Sequence, residues 1–222
     1  MTTKARRADG EATRARILDA ATKLIAASGF AYASNKAIAA KAGVDLASLN
    51  YHFGSRGGLY EAVLVEAHRR LAPIEDLERI AAADVPAQEK LRALIEKVLS
   101  PRSAAAGRYA SVVAREVQSP SIHLRVLERR EIAPKLGVVL SILEEITGIP
   151  REDPALLRCL VSVAAPCVMM VVGRRLATLA TIAAMPHDVL VAHLHTFALA
   201  GLQALGREHA ASKKATRARR ET

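Results

Sequence analysis

Apolar residues recur along this chain at three- and four-residue steps and never alternate convincingly, so the pattern predicts an all-α protein. Ile17, Leu18, Ala21, Leu24 and Ile25 make one face of a helix from about Thr13 to Ser28, closed by Gly29. Ile38, Ala39 and Ala42 follow the N-cap residue Ser34 on a short second helix, and Leu46, Leu49 and Phe53 follow Asp45 on a third. Ser55 caps a longer helix to about Leu71, with Leu59, Val63 and Leu64 inward. Leu71 to Pro86 reads as a boundary region with room for a short helix. Pro and Gly then punctuate Pro86–Leu99, Gly107–Gln118 and Ser121–Thr147, the last broken near Ala133 by Pro134 and Gly137. Asp153–Ala184 and His187–Gly206 complete the series. No repeat of 20–50 residues appears, which argues against a solenoid.

Two of these helices carry the candidate chemistry. Gly43 can adopt the left-handed conformation that ends one helix, and Asp45 starts the next, so residues 34–53 predict a helix-turn-helix. In that motif the second helix enters the major groove of DNA. With Leu49 and Phe53 turned to the core, Leu46, Ala47, Ser48, Asn50, Tyr51 and His52 face outward to varying degrees. Asn reads adenine's edge, Ser bonds several bases, and Ala or Leu meets a thymine methyl. Tyr51, His52, Lys36 and Arg56 suit phosphates, which set register rather than read sequence. The competing account is an ordinary helical corner with polar residues facing water.

The residues from Thr13 to Leu64 also resemble the N-terminal domain of the tetracycline-repressor (TetR) family of bacterial regulators. Ile17-Leu18-Asp19-Ala20-Ala21, Gly29-Phe30, Ile38-Ala39-Ala40-Lys41-Ala42-Gly43-Val44 and Leu49-Asn50-Tyr51-His52-Phe53-Gly54-Ser55-Arg56 carry the resemblance. The last segment, followed by Leu59-Tyr60, is similar to members with a CecR-like C-terminal domain. The resemblance implies DNA contacts at Asn35, Lys36, Leu46, Ala47, Ser48, Asn50, Tyr51, His52 and Arg56. It further implies a ligand that binds the following domain and releases DNA. Gly57 departs from the pattern, since the family usually has Glu there. Glycine lowers helix propensity by about 1 kcal/mol relative to Ala, which would loosen the start of the next helix.

Charge sharpens the nucleic-acid reading. The net charge of +10 divides into +5 over residues 1–58, +4 over 207–222 and only +1 between them. Positive charge thus concentrates on the helix-turn-helix and the two ends, which fits a nucleic-acid partner. Residues 1–10 read as a disordered basic arm, 11–58 as the DNA-binding domain, 59–206 as an effector-binding and dimerisation domain, and 207–222 as a disordered basic tail. The two cysteines, Cys159 and Cys167, would lie ~12 Å apart on one helix, too far for a disulfide. Reduced thiols, the absence of a signal-peptide h-region, and the short uncharged run Cys159–Gly173 interrupted by Pro166 predict a cytoplasmic protein without a membrane partner.

The Asp153–Ala184 and His187–Gly206 helices are apolar nearly all round, so each needs cover on two sides. A twin subunit supplies the second side, predicting a homodimer through a two-fold four-helix interface; the alternative is a monomer whose own helices cover both. In the Gly107–Gln118 helix, Glu116 shares a stripe with Tyr109, Val112, Val113 and Val117. A carboxylate there needs a partner. One reading pairs it with Arg129 or Arg158, or lets it reach water. The other makes Tyr109 and Glu116 the polar groups of an effector pocket lined by Val113, Met169 and Met170. No CxxC, P-loop, GxGxxG or GxSxG occurs, and His193 and His195 point to different sides of a helix, so no catalytic site, metal or cofactor is predicted. A repressor of a double-stranded operator, released by a small-molecule effector, accounts for the large balanced domain. A sequence-tolerant architectural DNA binder using the basic ends is the alternative.

Overall fold

Capping chemistry sets the boundaries of the first four helices in the computed structural model, which describes residues 3–100, 104–172 and 177–220. They are α1 (Thr3–Ser28), α2 (Asn35–Ala42), α3 (Leu46–Phe53) and α4 (Arg56–Leu71). Ser34 Oγ accepts from the Ala37 amide at 3.1 Å, and Asp45 Oδ1 accepts from the Ser48 amide at 2.6 Å. Gly43 has φ +65°, where a side chain would be strained, and its amide returns to the last carbonyls of α2. Ser55 Oγ accepts from the Gly58 amide at 3.0 Å and so caps α4.

After these come α5 (Ile74–Ala81), α6 (Ala87–Leu99), α7 (Ala104–Gln118), α8 (Leu124–Leu127), a π-helical turn (Glu128–Ile132), α9 (Ala133–Thr147), α10 (Pro154–Val172), α11 (Ala177–Ala183) and α12 (His187–Arg220). The described residues contain no strand. The break expected near Ala133 takes the form of the π turn. Pro134 has no amide hydrogen and its ring crowds the carbonyl four residues back, so the chain widens there before α9 resumes.

Both ends depart from expectation. The arm at residues 1–10 is helical from Thr3, and the tail at 207–222 continues α12 to Arg220. Ala, Lys and Arg are good helix formers, and extending a nucleated helix is far easier than starting one. The outermost two residues at each end, residues 173–176 of the expected Asp153–Ala184 helix, and the side chains of Val171 and Val172 lie outside what is described.

The chain forms two compact units, residues 1–71 with 102–132, and 72–101 with 133–222. The unit that carries the helix-turn-helix is therefore larger than the expected 11–58. Its core holds Ile17, Ala21 and Ile25 of α1, Ile38 of α2, Leu49 of α3, and Leu59, Val63 and Leu64 of α4. Val112 of α7 and Leu127 of α8 complete it. Helix α4 buries too much apolar surface for α1 to cover alone, and α7 covers the rest. In the second unit, Leu91, Ile95, Leu143, Leu156, Val191 and Leu202 make the main cluster, with Leu77, Leu94 and Ile142 beside it. Helix α12 passes so close to the end of α9 that a Cβ on Gly206 would lie 2.4 Å from the Thr147 carbonyl oxygen.

Candidate nucleic-acid interface

Helix α3 turns one residue fully inward, Leu49, and presents the rest of its predicted reading face. Leu46, Ala47, Asn50 and Tyr51 are exposed, Tyr51 at 86%, while Ser48 and His52 are half-buried. The rings of Tyr51 and His52 meet edge to face at 5.2 Å. On the core side, the Arg14 guanidinium of α1 lies 5.1 Å over the Phe53 ring and seats the end of α3. The Ser48 amide donating to Asp45 holds that carboxyl below its usual range, so the cap remains an anion near neutral pH. At the start of α2, Lys36 is exposed, whereas Asn35 is half-buried with an unpartnered Oδ1. This surface offers short polar side chains for base edges with a cation and phenol for phosphates.

Arg56 makes contacts that its sequence position did not suggest. Its Nη2 donates to the carbonyls of Phe30 at 2.7 Å, Ala31 at 2.9 Å and Ala33 at 3.4 Å, and the guanidinium lies 4.7 Å over the Phe30 ring. It ties the start of α4 to the α1–α2 turn while remaining exposed. Arg115 of α7 works beside it, its Nη2 donating to Ala27 at 3.2 Å and Ala26 at 3.5 Å, the orphan carbonyls at the end of α1. Nothing in the local pattern marked Arg115.

The residues proposed from sequence for an effector fall in both units. Tyr109, Val113 and Glu116 belong to α7, where Tyr109 and Val113 pack against the first core; Met169 and Met170 lie on α10 of the second unit, Met169 exposed. Glu116 is 1% exposed, and its partners are neither Arg129 nor Arg158. Tyr60 Oη donates to its Oε2 at 2.7 Å, while the Ser121 amide and hydroxyl donate to Oε1 at 2.9 and 2.8 Å. Burial, then the hydrogen bond and charge of Glu116, push the Tyr60 phenol well above its usual range. This carboxylate joins α4 to the end of α7 within the helix-turn-helix unit.

Comparison with known proteins gives the family and the fold. Residues 17–63 match the family described as bacterial regulatory proteins, tetR family, and residues 87–205 match the C-terminal domain of the HTH-type transcriptional dual regulator CecR. Among solved structures, the fatty acid degradation regulator FadR from Bacillus halodurans superposes with a TM-score of 0.67 at 20% identity, over 86% of this chain and 96% of that one. A regulator from Shewanella sp. PV-4, described as a putative tetR family member, gives 0.64 at 17% identity, over 86% and 96%. FadR from Bacillus subtilis in complex with stearoyl-CoA gives 0.61 at 21% identity, over 84% and 97%. No curated protein matches.

Proposed function

This chain belongs to the TetR family of bacterial regulators, with a C-terminal domain of the CecR type, and on that premise we propose that it is a repressor. In this reading two copies bind a roughly palindromic operator in the cytoplasm, and a small-molecule effector releases them. The observation that carries DNA binding is the face of α3, where Leu46, Ala47, Asn50 and Tyr51 are open to solvent around a single buried anchor, Leu49. Ser48, Asn50, Leu46 and Ala47 act as the readers in this proposal; Lys36, Tyr51 and His52 act on phosphate, and Asn35 adjoins them. Arg56, exposed at the start of α4, is a further phosphate ligand in this proposal and also braces the α1–α2 turn.

Exposed apolar faces on α10 and α12 support the homodimer. Leu157, Val161 and Val168 recur along α10, and Val189, Phe197 and Leu205 along α12, all at least 41% exposed in the single chain. Part of α12 reaches a mean hydropathy of 1.4, enough by length and composition alone to cross a membrane. A twin subunit accounts for the same apolar stripe and for its continuation onto α10.

The effector is proposed to be held by the part of the chain after α4, with Tyr109, Val113 and Glu116 as candidates in the first unit and Met169 and Met170 as separate candidates in the second. The stearoyl-CoA carried by the Bacillus subtilis neighbour makes acyl-CoA the first class to test. Selection of bound fragments from the source genome, followed by gel shift with and without acyl-CoA, tests the whole reading. A protein that selects no sequence and binds all fragments equally would instead be the architectural DNA binder.

A further inference from the structure

Two glycines in succession open α4, and they have different causes. A Cβ on Gly58 would lie 2.3 Å from the Phe53 carbonyl oxygen, so the tight α3–α4 join itself requires that glycine. Gly57 has no such backbone cause. Its φ is not positive, unlike those of Gly29, Gly43, Gly54 and Gly148, and glycine in a helical turn is locally unfavourable beside alanine. What occupies the space is the ring of His123, whose Cε1 would stand 2.8 Å from a Cβ at position 57. Real Cβ atoms essentially never approach that closely.

His123 comes from the segment between α7 and α8 and is anchored on every side. Its Nδ1 lies 3.0 Å from Glu61 Oε1, the geometry of an N–H donating to a carboxylate. The ring meets Tyr60 edge-on at 5.6 Å and Phe30 at 6.1 Å, and Phe30 stacks on Tyr60 at 4.1 Å. Its amide donates to Ser121 Oγ at 3.1 Å, and Ser121 is itself held by Glu116. The ring therefore has little freedom to yield. Only Gly54 and Ser55 separate α3 from α4, so the attitude of the first turn of α4 sets that of the recognition helix.

We propose that His123, seated in the space Gly57 leaves open, is a positioning residue that holds α3 in its DNA-reading attitude. Gly57, by lacking a side chain, leaves the room that this ring occupies. The looseness expected from a glycine at this point is countered by the contact it allows. This inference rests on the DNA-reading function proposed above.

A double-mutant cycle of wild type, Gly57→Ala, His123→Ala and the pair tests it, with operator affinity by fluorescence anisotropy and urea midpoint as readouts. Gly57→Ala alone should weaken operator binding by about tenfold, within the range of coupled contacts, and lower the midpoint. In the His123→Ala background the same substitution should cost no further affinity and should raise the midpoint, because alanine then helps the helix with nothing to meet. A sign reversal of this kind is not produced by two residues acting separately. If His123→Ala is too unstable to assay, His123→Gln takes its place with the same expectation, since it keeps a donor for Glu61 without the ring. Gly57→Ala being equally harmful, or equally harmless, in both backgrounds would overturn the inference. Should the wild type bind no selected DNA, the functional reading fails and the positioning role with it, while the urea arm still shows whether positions 57 and 123 are coupled.

Discussion

Glu116 receives three hydrogen bonds at 1% exposure, and that sets the cost of disturbing them. Tyr60→Phe keeps the ring on Phe30 but leaves Oε2 without its donor, an expected loss of about 1–3 kcal/mol read as a lower urea midpoint. The pH dependence has a definite sign. Because the folded phenol titrates above its ordinary value, folding holds a proton that the unfolded chain releases. That contribution is complete below about pH 10 and is lost as pH rises beyond it. Wild type should therefore lose more stability than Tyr60→Phe between about pH 8 and about pH 11. Equal losses in the two proteins would show that Tyr60 does not carry the linkage. Arg56 makes a second residue-scale prediction, since its guanidinium lies on Phe30, Ala31 and Ala33 carbonyls. Arg56→Ala should therefore lower stability as well as flatten the salt slope of operator binding by about one unit, whereas Lys36→Ala should flatten that slope without lowering stability.

At the scale of elements, α2 and α3 were legible from sequence because their limits depend on neighbours three or four residues away. Ser34 and Asp45 cap, Gly43 terminates, and Leu49 anchors; each is a local rule acting locally. The Tyr60 partner of Glu116 was not legible, since it lies 56 residues before it and no periodicity links two helices across the core. For the same reason the sequence places α7 in the later domain, although its Val112 completes the core around α1 and α4. The ends are helical where their composition predicts disorder, because polar composition signals exposure, not the absence of helix. Side chains 211–216 are indeed exposed, yet the backbone stays helical. Truncation after Ser212 should accordingly leave the urea midpoint unchanged while weakening non-specific DNA binding at low salt, as lost cations release fewer counterions. Gly206 behaves oppositely. Gly206→Ala drives a Cβ onto the Thr147 carbonyl and should destabilise the protein by about 1–3 kcal/mol, despite the better helix propensity of alanine.

At the scale of the whole molecule, the question is what covers α10 and α12. Leu157, Val161 and Val168 on one helix and Val189, Phe197 and Leu205 on the other leave an apolar surface that a monomer would hold in water. Burying apolar area contributes about 25 cal/mol per Å², so two such faces meeting across a two-fold axis gain from every one of these side chains twice. Phe197 is 70% exposed, and a Cβ on Gly201, one turn on, meets nothing within 4 Å. Substitution at either position therefore leaves the fold of a single chain undisturbed and acts only on what docks there. Phe197→Asp and Gly201→Asp should each sediment as monomers at micromolar concentration with an unchanged helical spectrum. Each should also lose most operator affinity, because one reading head can grip only one half-site, whereas paired heads engage half-sites about 34–36 Å apart or a multiple of that. A wild-type protein that sediments as a monomer under the same conditions would remove the dimer. A Phe197→Asp protein that remains dimeric would move the interface to another face.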